Sequence, residues 1–82
     1  MANIGKVTVT NSPSLVVTTN VNRTRLLIEN INSTSPVYIG GVAVTTANGF
    51  PIPAGLQLLD KNYLGTYYVI GSGEIRYIEE QK

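Results

Sequence analysis

Val, Ile, Thr and Tyr come in short runs that Gly, Pro and Asn interrupt about every 8–12 residues, and no window keeps a helical period without a break. In "GKVTVT", Val7 and Val9 share one face and Lys6, Thr8 and Thr10 the other. "SLVVTT" resumes as a strand after "NSP", and "RTRLLIEN" puts Thr24, Leu26 and Ile28 on one face. Arg23, Arg25 and Glu29, with Leu27, take its other face. "VYIG" is a short strand ending at Gly40-Gly41. Asn48-Gly49 then predicts a tight hairpin joining "VAVTT" to "FPI". Pro51 and Pro53 lack an N–H, so that arm belongs at a sheet edge or outside the sheet. After "LQLLD", the run "TYYVI", "GSG" and "EIRYIEE" predicts a C-terminal hairpin. The pattern predicts an all-β fold, a small antiparallel β-sandwich or barrel of seven to eight short strands.

At 82 residues the chain makes one domain, 1–82, close to the lower size limit for a self-sufficient core. Residues 1–12 form a strand that either completes its own sheet or is exchanged with a neighbouring subunit. Small domains lean on disulfides, metals, very regular packing or self-association. Without Cys or His the first two are unavailable, and a homo-oligomer is expected. The N-terminus shows no secretory signal, and no run approaches the ~20 apolar residues that span a bilayer, so no membrane partner is expected.

The same absences bear on chemistry. An enzyme needs a nucleophile with a base, a carboxylate pair, a metal or a cofactor cradle. The serines lack a nucleophile-elbow context, "GSG" serves a turn, and Gly40-Gly41 is followed by no Lys-Ser/Thr. Glu79 and Glu80 are adjacent, point to opposite faces of a strand and read as a solvated end. No catalytic residue, metal or cofactor is expected, and the chain is not an enzyme. With a net charge of +1 and scattered basic residues, no specific nucleic-acid partner is expected either. A small single-stranded nucleic-acid-binding barrel would have to use Arg23, Arg25 and Arg76.

Only 13% of residues are charged, and none between Glu29 and Asp60. Interface centres favour aromatics and are depleted in charge. Phe50-Pro51-Ile52-Pro53 is a rigid arm with two large apolar side chains, its entropy already reduced by the prolines. Val42, Val44, Phe50, Pro51, Ile52 and Pro53 are therefore the expected protein interface. The competing reading has Phe50 and Ile52 folding back to plug one end of the core. Tyr38, Asn48 and Tyr63 are candidate ligand contacts, since sugar recognition needs an exposed aromatic beside amide or hydroxyl groups.

The succession "NRTRLLIEN" (22–30), "PVYIGG" (36–41), "VTTANGFPIPAG" (44–55), a tyrosine strand and "EIRYIEE" (74–80) resembles small β-rich structural proteins of tailed bacteriophages. That resemblance implies a non-enzymatic virion component made in the host cytoplasm, of the capsid decoration (cement) type. It implies a homo-oligomer, trimer favoured, seated on the major capsid or another virion protein. The alternative it leaves open is a receptor- or glycan-binding module of a tail fibre or spike.

Overall fold

The structure, a computed structural model, describes residues 2–82. The β-branched runs form eight strands among the described residues: β1 (Ala2–Val9), β2 (Ser14–Val17), β3 (Arg23–Asn30), β4 (Val37–Gly40), β5 (Phe50–Ile52), β6 (Gln57–Asp60), β7 (Tyr67–Gly71) and β8 (Gly73–Gln81). They build two four-stranded antiparallel sheets, which we call sheet I (order β1-β8-β3-β6) and sheet II (order β2-β7-β4-β5). The all-β expectation holds, and the arrangement is a sandwich. β1 pairs with β8 of its own chain from Ala2↔Glu80 to Val9↔Gly73.

Alternation delivers the core. Sheet I sends in Val9, Leu26, Ile28 and Ile75; sheet II sends in Val16, Val17, Val37, Ile39, Ile52 and Val69. Each such side chain contributes roughly 1.5–3 kcal/mol on burial. A register shift between Leu15 and Val17 breaks the alternation of β2 and lets Val16 and Val17 both face inward. A second shift, between Arg23 and Arg25, reverses the parity at the start of β3. Arg23, expected on the outer face with Arg25 and Glu29, is therefore buried, while Thr24 is exposed.

Two expected hairpins are not formed. β4 pairs instead with β5, Val37↔Ile52 to Ile39↔Phe50, and residues 41–49 are the loop between them. A two-residue turn at Asn48-Gly49 needs positive φ at both residues, and neither has it. Asn48 is held otherwise: its Oδ1 accepts from the Thr45 N–H at 2.7 Å, while the Gly49 N–H donates to the Thr45 carbonyl at 2.9 Å. Val44 anchors the loop from inside, packed where side chains at Gly40 and Gly49 would stand.

β7 and β8 do not pair either. The chain changes sheets at Gly71-Ser72-Gly73, with φ of 144° and 90° at the two glycines. Asn32 holds that corner, donating to the Ser72 carbonyl at 2.9 Å and accepting from the Glu74 N–H at 3.1 Å. Glycine permits the left-handed backbone that a sharp change of sheet requires. The adjacent fully buried Asn30 is satisfied by the Ser35 and Ile52 carbonyls, each at 2.9 Å, and by the Asn32 N–H at 3.0 Å.

Candidate functional site

The charge-free stretch maps onto an asymmetry between the sheets. The strands of sheet I carry the charged residues, with Lys61 and Lys82 just beyond strand ends; no strand of sheet II contains one. Alternation turns Tyr38, Tyr68 and Ile70 to the outer side, where the two tyrosines are half-buried and Ile70 is buried, and the register sets Tyr38 between Pro51 and Ile70. Leu15, 45% exposed, stands opposite Tyr68. The outer face of sheet II is thus uncharged, its accessible surface made by Tyr38, Tyr68, Leu15 and Pro51.

That face ends at β5, the edge strand that Pro51 and Pro53 require. Of the six residues expected at a protein interface, Val44 (4% exposed) and Ile52 (2%) are buried within the chain itself. Ile52 plugs the core as the competing reading has it. Phe50 does not: it is 61% exposed, as is Val42 at 69%, and Pro51 and Pro53 are exposed beside it. Phe50, Pro51 and Pro53 lie along the sheet II edge, and Val42 lies in the loop between β4 and β5.

The three candidate ligand contacts are partly brought together. Asn48 and Tyr63 border two shallow depressions that meet at Gly40-Gly41. Asn48 has its carbonyl oxygen committed to the loop, whereas Tyr63 is half exposed and stacks edge-on against Tyr67, ring centroids 5.1 Å apart at 74°. Tyr38 stands apart from both depressions, half-buried on the sheet face beside Gly49.

The polar cluster beneath Tyr63 is structural. Arg23 donates to the Glu79 carboxylate at 2.8 Å and to the carbonyls of Thr18, Tyr63 and Gly65 at 2.8, 3.1 and 3.0 Å. One guanidinium thereby ties β8 to the β2–β3 and β6–β7 connections. Glu79 is 7% exposed, so only Glu80 is solvated of the expected solvated pair. Period-two reading missed this because the bulge in β3 leaves no mark in residue type.

Asp60 accepts from the Tyr67 hydroxyl and from the backbone N–H groups of Asn62 and Tyr63. Burial works to raise the Asp60 pKa; the Tyr67 bond, the two N–H groups and the Arg23 charge together outweigh it and hold the carboxyl below its ordinary value. Tyr67 is pushed well above its ordinary value, by burial first and by the neighbouring Asp60 carboxylate second.

The basic trio that nucleic-acid binding would need is not assembled. Arg23 is buried, Arg25 is paired with Glu80 at 2.5 Å and Arg76 with Glu74 at 2.6 Å. Among the described residues, these three arginines form no shared basic face for stacking bases.

No protein-family model and no curated protein sequence matches the chain. Among solved structures it is similar to the stem and receptor binding domain of the spike protein P1 from bacteriophage PM2, with a TM-score of 0.67 over 88% of this chain and 18% sequence identity. The match covers 29% of that spike chain, so this chain spans under a third of its length. At that identity the likeness is one of fold.

Proposed function

We propose that this chain is a non-enzymatic structural module of a bacteriophage virion, docked on another virion protein through the uncharged face and edge of sheet II. The observation that carries the reading is the exposed arm: Phe50 stands in solvent beside two exposed prolines at the edge of a sheet with no charged residue, and Val42 stands in solvent on the adjoining β4–β5 loop. A surface without charge neither repels nor desolvates ions when it meets an apolar partner, and a proline-locked arm loses little entropy on docking. The fold it shares with a phage spike chain supports the virion setting, and a decoration protein seated on capsid subunits is the form we favour. In that role each docked copy adds binding free energy to the closed shell.

The test is co-sedimentation of the labelled chain with phage heads stripped of accessory proteins. Saturable binding that Phe50→Asp or Val42→Asp abolishes, with the fold intact, is the expected result. No binding to heads, or binding indifferent to both changes, overturns it.

A second reading has one observation in its favour: Tyr63 and Asn48 flank adjoining depressions at Gly40-Gly41, at the end of the sandwich, as a glycan site would require. Under that reading the chain binds host cells and not heads, and Tyr63→Ala removes the binding.

A further inference from the structure

The outer face of sheet I carries an order that strand alternation does not demand. Ile4 stands opposite Ile78, Ile78 opposite Leu27, and Leu27 opposite Leu59. One aliphatic side chain from each strand thus makes a row across the whole sheet, on the side away from the core. Ile4 is 76% exposed and Leu59 48%. A hollow of about 160 Å³ lies along the row between Ile4, Leu27 and Ile78, rimmed by Glu29 and Arg76.

Charges flank the row in a fixed pattern. One step along the strands, Arg76 stands opposite Glu29; one step the other way, Glu80 stands opposite Arg25. On β8 and β3, the two central strands, each side of the aliphatic row therefore holds one positive and one negative charge, in reversed order.

We propose that this face is a contact between two copies of this chain, related by a two-fold axis that lies in the contact plane along the aliphatic row. Rotation about that axis lays each aliphatic side chain on its own equivalent and exchanges the flanking rows. Arg76 of one copy then meets Glu80 of the second, and Glu29 meets Arg25. On β8 the match extends outward, because Glu74 falls opposite Lys82 of the second copy. Lys6 falls on Ala2 and meets no like charge. A patch that complements itself in this way is the mark of an isologous pair, whereas closing a three-fold ring needs two different patches. The contact is accordingly a dimer, in place of the trimer expected from the sequence. The aliphatic row supplies the attraction, and the charges set the register and orientation of the partner.

Four strands at their usual spacing and rise give a face of roughly 500 Å². A face-to-face pair then covers about 1,000 Å² in total, the lower end for a specific interface, so the pair forms in the micromolar range or weaker. This inference does not rest on the virion reading, and it is tested on the isolated chain.

Sedimentation equilibrium of the 82-residue chain from about 10 μM to about 1 mM brackets that affinity. A monomer–dimer equilibrium is expected. Ile78→Lys should weaken it roughly tenfold or more, because two lysines would meet at the axis. Its circular dichroism and melting should stay those of a folded chain, since the side chain faces away from the core. The absence of Cys allows a second readout: Leu27→Cys should be linked to itself by a short bismaleimide, and Ser33→Cys, in the exposed β3–β4 loop, should not. A chain that stays monomeric to about 1 mM, a dimer indifferent to Ile78→Lys, or linkage at Ser33 in place of Leu27 each overturns the proposal.

Discussion

Arg23 and Glu79 form a buried ion pair 2.8 Å long, their side chains 1% and 10% exposed, at an end of the sandwich where the aliphatic core stops. The guanidinium also donates to three backbone carbonyls, so the pair replaces hydrophobic packing by a polar network. Removing either partner strands the other as an uncompensated buried charge. Arg23→Ala or Glu79→Ala should each cost about 3–5 kcal/mol in urea-unfolding stability. The double replacement Arg23→Met/Glu79→Leu should recover a large part of that loss. A double variant that loses the sum of the two single losses would show that the pair is not coupled.

The Asp60–Tyr67 bond defines the pH behaviour. Asp60 titrates below its ordinary 3.8 in the folded chain, so its contribution is present above that value and lost as pH falls through the lower folded value. Tyr67 is raised above its ordinary 10.0, so its contribution is present below pH 10 and fades as pH rises beyond it. With no His or Cys side chain to titrate in between, melting temperature should be flat from about pH 5 to 9 and fall on both sides. Tyr67→Phe should blunt the alkaline fall and remove the late tyrosinate step in ultraviolet absorbance.

The sheet-changing corner separates two kinds of glycine. A Cβ at Gly73 would stand 1.9 Å from Asn32 Oδ1, on a backbone with φ of 90°. Gly73→Ala should therefore destabilise the chain by about 1–3 kcal/mol in chemical denaturation, from backbone strain alone. Gly41→Ala, with open space around it and no positive φ, should be neutral within about 0.5 kcal/mol. Removing the clash with Asn32→Ala should leave most of the Gly73→Ala defect in place.

Ile52 and Phe50 belong to one strand and answer differently. Ile52→Asp buries an unpaired charge in the core and should abolish cooperative unfolding, whatever the chain binds. Phe50→Asp should shift the melting midpoint by only a few degrees, because the ring is already in solvent. A collapse of both variants would place Phe50 in the core and remove the arm as a docking element.

Strand content, the edge position of β5 and most of the core were legible in the chain. Val7, Val9, Leu26, Ile28, Val37 and Ile39 are set inward by period-two alternation, and Pro51 and Pro53 exclude a central strand wherever they fall. The concentration of charge outside residues 30–59 was likewise visible, and with it the prospect of an uncharged surface. What the tertiary structure alone decided was pairing and phase. Asn48-Gly49 has the residues of a tight turn, yet buried Val44 holds the loop open and gives Val37–Ile39 to Phe50–Ile52. "GSG" reads as a hairpin turn, yet two left-handed glycines send the chain to the opposite sheet. A bulge turns Arg23 inward to Glu79, and long-range register assembles Ile4, Ile78, Leu27 and Leu59 into one row. The reason is common to all of these. Alternation depends on neighbours along the chain, whereas pairing partner, bulge position and cross-strand row depend on contacts between segments tens of residues apart.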